Sequence, residues 1–155
     1  MTSPLTEQEL MSRRTWFREH WDRGIPFAVL LGLQIEQWEP ERVTIRMPLR
    51  EDLTAHEGIF HGGAVGTLID TAGTGVVIAG HDFNHGSRIA TVSMTVNYVG
   101  TAPGEDAVAV GRCVRRGRRL SFAQVEVTSA SSNRLLAHAM LTLSVAGERQ
   151  GIPTG

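Results

Sequence analysis

The stretch GGAVGTLIDTAGTGVVIAG, residues 62–80, is small or apolar on every face of a helix. A helix of this kind buries its whole circumference, either in a protein core or in a membrane. Its length of about 19 residues would span a bilayer. However, it contains six glycines, three threonines and Asp70, and a carboxylate at mid-bilayer costs about 2.5–3.5 kcal/mol. We therefore predict a buried central helix whose glycines let strands approach closely.

Strand patterns lie on both sides of this helix. The run at 43–47 and the run at 90–98 alternate apolar with polar residues, which is typical of strands with one buried face. In the second run the apolar positions are even-numbered, so Thr91 is expected on the polar face. Three further strand segments are separated by turn residues, at 106–116, 120–130 and 135–145. Together these segments predict an α+β fold in which an antiparallel sheet wraps the helix, and a partner or the N-terminal helix covers the outer face of the sheet.

Two helical segments precede the strands. Residues 5–22 carry apolar side chains among charges, and Thr6 with Glu9 forms a capping box. The segment PFAVLLG, residues 26–32, has proline in its first turn and glycine at its end. We predict an N-terminal helical extension, a domain that contains the central helix and the sheet, and a disordered tail, at residues 1–26, 27–148 and 149–155.

The composition limits the functional classes. A chain of 155 residues suits one domain, and its 15 basic and 16 acidic side chains create no global field for nucleic acid or an anionic membrane. The one cysteine, Cys113, allows neither an intramolecular disulfide nor a thiolate cluster, and the N-terminus is too charged for a signal peptide. His81 and His85 have a zinc-like spacing, but their segment has loop chemistry and offers no third ligand. We expect a cytoplasmic protein with no metal, no nucleic acid and no membrane partner.

A motif begins just before the central helix. Residues 58–63 read G-x-x-H-G-G, and Asp70 follows nine positions after the motif histidine. This pattern resembles the hotdog-fold acyl-CoA thioesterases of the phenylacetate-degradation type, within the 4-hydroxybenzoyl-CoA thioesterase superfamily. The likeness covers residues 27–145 and implies a central helix wrapped by a five- to six-stranded antiparallel sheet. It also implies hydrolysis of acyl-CoA without a separate cofactor, and assembly as homodimers or as tetramers built from two dimers.

Thioester hydrolysis needs an activated water or an attacking carboxylate, and donors for the charge that develops on the carbonyl oxygen. Asp70 can supply the first, and the free amides at the helix start can supply the second. The resemblance assigns carbonyl polarisation to the Gly62 amide, and orientation of the loop or the carbonyl to His61. Asp70 and Gly62 are separated by about 12 Å along a helix. Both therefore reach one substrate only if the acid of one chain faces the helix start of another, in a two-fold dimer.

Other positions complete the predicted site. The resemblance gives Thr91 a hydroxyl that helps to hold the attacking water, and a surface threonine chosen for its β-propensity is the alternative. Many relatives carry asparagine six residues before the motif histidine, where this chain has Ala55; the adjacent His56 is the polar candidate for that task. Gly63 lets a carbonyl approach the backbone, and Phe60, Met94, Tyr98 and Phe83 are candidate pocket walls.

Arginines crowd one predicted hairpin. The five positions are Arg112, Arg115, Arg116, Arg118 and Arg119. Guanidinium groups bind phosphates bidentately, so these side chains are candidates for holding the phosphates of CoA, with Arg118 as the first choice. A solvated turn whose charges discourage edge pairing is the alternative.

The sequence thus predicts an acyl-CoA thioesterase that acts on aryl- or medium-chain acyl-CoA. One alternative is a hotdog dehydratase that removes water from a hydroxyacyl thioester. Another is a non-catalytic acyl-CoA sensor, which would bind CoA esters without turnover. The spacing between the motif and Asp70 fits hydrolysis better than dehydration.

Overall fold

The computed structural model describes residues 3–147, so the predicted tail at 149–155 lies outside the described residues. Two helices and a pair of strands come first, a short hairpin leads into a long helix, and four long strands follow. In chain order the elements are α1 (Glu7–His20), α2 (Pro26–Leu31), β1 (Gln34–Glu39), β2 (Arg42–Met47), β3 (Thr54–His56), β4 (Ile59–Phe60), α3 (Gly62–Ala79), β5 (Arg88–Tyr98), β6 (Ala107–Arg116), β7 (Leu120–Ser129) and β8 (Leu135–Ala146).

Six strands form one antiparallel sheet in the order β1-β2-β6-β7-β8-β5, and α3 packs across one face of it. The predicted α+β hotdog architecture is therefore confirmed. The five strands expected from alternation are β2 and β5 to β8, and β1 is the sixth. In β1 a register shift between Ile35 and Gln37 leaves only Ile35 and Trp38 partly buried. This shift breaks the period of two, which is why alternation did not reveal the strand.

Glycines set the distance between α3 and the sheet. A Cβ on Gly111 of β6 would lie 2.6 Å from the carbonyl oxygen of Ala72, and a Cβ on Gly73 would lie 2.8 Å from the Leu141 side chain. The larger side chains of the helix, such as Leu68 and Ile69, are completely buried in the resulting core. The predicted close approach of strands to a glycine-containing helix is confirmed.

One stripe of α3 nevertheless stays open. Eleven of its 18 residues are buried, and Thr67, Asp70, Thr71 and Thr74 are only partly covered along one face. The prediction of a helix buried on all sides is wrong in this respect, because small residues concealed a polar stripe of helical period. Within residues 3–147, α3 alone has the length and composition of a membrane span, and most of it lies in the protein core.

Helix α1 packs beside the C-terminal half of α3. Its predicted capping box is present, with the Thr6 side chain accepting from the Glu9 amide. Phe17 stacks on Phe83 at a centroid distance of 5.4 Å, and the indole of Trp21, just after the helix, donates to the Thr71 carbonyl at 3.0 Å. The outer face of the sheet is therefore not covered by α1, and of the two expected covers only a partner remains.

A β-bulge re-aims one side chain of β5. Thr91 is paired with the buried Leu143, whereas Ser93 is paired with Thr142, and the register shifts between them. A bulge inserts one extra residue and reverses the side-chain alternation beyond it. Thr91 consequently lies on the same side as α3, and its predicted place on the polar face is wrong.

We expect Gly111→Ala to lower the free energy of unfolding by about 1–3 kcal/mol, because the added methyl group is forced against a helix carbonyl that cannot yield without moving α3. Chemical denaturation measures this change. Arg112→Ala, at the exposed next position of β6, should change stability by less than about 0.5 kcal/mol. Equal effects of the two substitutions would contradict the packing argument.

Candidate active site

Asp70 is on the open stripe of α3, opposite β5. The Thr91 hydroxyl donates to Oδ1 of Asp70 at 2.6 Å, and the Thr74 hydroxyl lies 3.4 Å from that of Thr91. Within residues 3–147, Oδ2 of Asp70 has no hydrogen-bond partner and no cation pairs with the carboxylate. One oxygen is thus anchored, and the other is free to accept a proton from water.

The start of α3 presents one free backbone donor. His61 is the N-cap, and its Nδ1 accepts from the Gly63 amide at 2.8 Å. The His61 carbonyl accepts from the amides of Ala64 and Val65 at 3.0 and 3.2 Å. Only the Gly62 amide, of these first four, has no acceptor among the described residues. It lies at the positive end of the helix dipole, where a developing oxyanion is stabilised.

The hydrogen bond that His61 accepts determines the tautomer of its neutral ring. Because Nδ1 accepts a hydrogen bond, the neutral ring carries its proton on Nε2. His61 is exposed, and its bond to the Gly63 amide orients the motif loop, one of the two tasks that the resemblance implies.

Two cavities flank the helix start and divide the predicted binding residues between them. The first, of about 190 Å³, is lined by Phe60, Gly62 and Tyr98 together with Thr101 and apolar neighbours. The second, of about 310 Å³, is lined by His61 and Gly63 along with residues from α2 and the β2–β3 connection. Gly62 therefore lines the cavity that Tyr98 and Phe60 help to enclose.

Two predicted binding residues lie away from these cavities. His56 is exposed in β3 and lines neither of them. Arg118 is exposed in the β6–β7 turn. That turn is beside the C-terminal end of α3, because Arg116 donates to the carbonyls of Val76 and Val77 at 2.9 and 3.2 Å. Arg118 is thus at the opposite end of the helix from Gly62 of its own chain, and the Arg116 side chain satisfies carbonyls in the last turn of the helix.

Sequence reasoning gave no catalytic role to two neighbours of these groups. Thr74 lies one turn after Asp70 on the same face, a spacing that could have revealed it. Tyr98 was expected only as a pocket wall, alongside Phe83, and its hydroxyl donates to the Gly62 carbonyl at 2.9 Å. Phe83 is completely buried against α1 and so is not available to a substrate.

Cys113 and His81 are in buried environments that favour their neutral forms. Burial raises the pKa of the Cys113 thiol, which disfavours the reactive thiolate. Burial lowers the pKa of His81, and its Nε2 donates to the Gly86 carbonyl at 2.9 Å. Cys113 therefore stays a thiol and His81 a neutral imidazole near pH 7, so these groups supply neither a thiolate nor a charge.

The fold and the motif together define a hotdog protein whose central helix begins at an H-G-G sequence. Residues 57–135 match the family described as the thioesterase superfamily, and the chain belongs to that family. The matched segment contains the motif, all of α3, β5, β6 and β7. The sequence-based prediction of a thioester hydrolase is confirmed.

Individual relatives support the same class. The chain is 29% identical over 99 residues to acyl-coenzyme A thioesterase 13 of Mus musculus, covering 63% of this chain and 69% of that protein. It is similar to a thioesterase family protein of Silicibacter pomeroyi, with a TM-score of 0.77, 27% identity and coverage of 86% and 98% of the two chains. A thioesterase protein of Streptococcus pneumoniae, solved with coenzyme A, gives a TM-score of 0.66 at 25% identity, over 76% and 88% of the chains.

We expect Thr91→Val to lower kcat for thioester hydrolysis about 10- to 100-fold, because a hydrogen bond to a charged carboxylate is lost without a change in side-chain shape. Thr91→Ser keeps the hydroxyl and should retain most of the rate. Free-thiol release from acyl-CoA measures both variants. Full activity of the valine variant would remove Thr91 from the site.

Proposed function

We propose that this protein hydrolyses acyl-CoA thioesters at sites shared between two copies of the chain. The proposal rests on the presence of two different reactive groups, a carboxylate and a backbone amide, at two positions of one helix. Asp70 offers a free carboxylate oxygen in the middle of α3, and Gly62 offers a free amide at its start. Hydrolysis needs both kinds of group.

A single chain does not bring these groups together. They are separated by about 12 Å along a rigid helix, whereas a catalytic base and an oxyanion donor must both lie within about 3 Å of atoms in the same reacting group. A two-fold arrangement with antiparallel helices places Asp70 of one chain opposite Gly62 of the partner subunit and generates two equivalent sites.

The edge of the sheet supports such a partner. Strand β5 is at the edge, so one side of its backbone is unpaired within the described chain, and open edges of this kind favour pairing with another chain. Large apolar side chains along and after β5 are exposed, namely Val92, Met94, Tyr98 and Val99. We propose that the second copy covers β5 and the open stripe of α3. The outer sheet face is then free to join two dimers into a tetramer.

The proposed reaction uses only groups already described. Water donates a proton to Oδ2 of Asp70 as its oxygen attacks the thioester carbon, while Thr91 holds Oδ1. The negative charge that forms on the carbonyl oxygen is stabilised by the amide of Gly62 of the partner subunit. The C–S bond then breaks, and Oδ2 of Asp70 returns its proton to the CoA sulfur as the carboxylic acid leaves, which regenerates the base.

The cavity beside Gly62 supports an acyl group of limited size. Its volume is about 190 Å³, and an apolar cavity of about 150 Å³ is sufficient to bind benzene. We propose aryl or medium-chain acyl groups, as in thioesterases of the phenylacetate-degradation type. In an antiparallel dimer with Asp70 opposite Gly62 of the partner subunit, the C-terminal end of α3 extends beyond the partner's helix start. Arg118, near that end, therefore remains a candidate for the CoA phosphates, together with Arg112, Arg115 and Arg119.

The remaining expectations are part of the same proposal. We assign catalysis to the domain at residues 27–148 and treat residues 1–26 as an extension. The balanced charge and the single cysteine support a cytoplasmic location, and His56 keeps its proposed role near the substrate.

Two variants that are inactive as homodimers should regain activity when they are combined in one mixed dimer. Asp70→Asn removes the base at almost unchanged shape. Gly62→Pro removes the amide donor, and proline is favoured at the first helical position after an extended residue such as His61, with φ −63° and ψ 136°. We expect each homodimer to lose about 100- to 1000-fold in kcat. Mixed dimers, purified through two different tags, have one intact site and should recover about half of the wild-type rate.

The same experiment separates the alternatives. Mixed dimers that remain inactive would contradict a site shared between chains. Wild type that binds acyl-CoA without releasing thiol from any straight-chain or aryl substrate would identify the protein as a sensor. Analytical ultracentrifugation of both variants serves as the control for assembly.

A further inference from the structure

Tyr98 contacts the helix start from the end of β5. Its hydroxyl donates to the carbonyl oxygen of Gly62 at 2.9 Å. The end of its ring lies over the same residue, since a Cβ on Gly62 would be 3.6 Å from Cζ of Tyr98. It is the only tyrosine in the chain.

The first turn of α3 needs restraint from outside. Gly62 and Gly63 lack side chains and have wide backbone freedom, and the first amides of a helix have no intrahelical acceptor. His61 holds the Gly63 amide from one side, and Tyr98 holds the Gly62 carbonyl from the other. Both bonds hold the peptide group between Gly62 and Gly63. The free Gly62 N–H belongs to the preceding peptide group, whose His61 carbonyl accepts from Ala64 and Val65, and these contacts together fix its direction.

We propose that Tyr98 is a positioning residue of this site, whose hydroxyl aims the Gly62 amide at the carbonyl oxygen of the bound thioester. This inference rests on the proposed function. Tyr98 acts through Gly62 and exchanges no proton with the substrate. A misdirected donor weakens the transition state, in which the oxygen is charged, more than the ground state, so the loss should appear in kcat.

Gly66 offers an independent way to disturb the same bond. A Cβ on Gly66 would lie 3.3 Å from the Tyr98 hydroxyl, and no other described atom outside the helix lies within 4 Å of it. Gly66→Ala should therefore displace the hydroxyl by a few tenths of an ångström while favouring the helix. In a Tyr98→Phe background the obstructing oxygen is gone, and the alanine should have no effect.

The test combines kinetics with two unreactive CoA ligands. One is a trifluoromethyl ketone analogue, which has no scissile bond and whose tetrahedral hydrate mimics the transition state, and the other is an S-alkyl thioether that has no carbonyl. We expect Tyr98→Phe to lower kcat about 5- to 10-fold with KM changed less than about twofold. It should also abolish the preference of wild type for the ketone over the thioether. Thr95→Val, which removes a hydroxyl from the other face of β5, is the matched control, and ultracentrifugation checks assembly.

Each outcome decides the inference. The inference is supported if Tyr98→Phe lowers kcat and loses the preference for the ketone. It also requires that Gly66→Ala lowers kcat alone and has no effect in the double variant. Unchanged kcat and preference in Tyr98→Phe, or an equal cost of Gly66→Ala in both backgrounds, overturns it. If wild type hydrolyses no acyl-CoA but prefers the ketone, and Tyr98→Phe removes that preference, the proposed function fails and the inference stands. If wild type shows neither turnover nor preference, both fail.

Discussion

The contact between the backbones of α3 and β6 is the constraint on which the rest of the structure depends. It exists because Gly111 has no side chain, which lets the strand lie against the Ala72 carbonyl. Such close packing fixes the rotation of the helix, since its large side chains must all point into the sheet. The polar stripe that contains Asp70 is then directed towards the edge strand β5, where Thr91 contacts it. Helix packing therefore decides where the carboxylate is presented, before any contact with a substrate.

The start of α3 is governed by a different requirement, the pairing of its first amides. Of the first four amides, those of Gly63, Ala64 and Val65 are hydrogen-bonded to His61, and that of Gly62 is unpaired. A buried or crowded unpaired amide costs free energy, and in the proposed reaction a substrate carbonyl would remove that cost. The motif histidine therefore does more than cap the helix. Because it accepts from the other three amides, it determines that the unpaired donor is the Gly62 amide.

Much of the fold followed from the sequence, and the exceptions have specific causes. The long helix, its capped N-terminal neighbour and five strands were predicted from periodicity and end signals. Strand β1 and the orientation of Thr91 were missed for one reason, because each depends on a β-bulge and a single inserted residue reverses the alternation on which strand prediction rests. The open stripe of α3 was missed because threonine and glycine fit both a buried and a polar helix face. For the site, the motif predicted Asp70 and the helix start, whereas the contact of Tyr98 depends on a strand end that only the folded sheet brings to α3.

The bulge in β5 also connects the two halves of the proposed site. Without it, Thr91 would face away from α3, and the hydroxyl that holds Asp70 would be lost. Tyr98 lies beyond the bulge on the same side as Thr91, since it is paired with the buried Ala137. One edge strand therefore contacts the carboxylate of α3 near one end and the helix start of the same chain at the other. If a second copy covers this edge, the two ends of β5 serve different sites, with Thr91 supporting the base of one and Tyr98 supporting the amide of the other. Association would then link the two sites physically through a single strand of each chain.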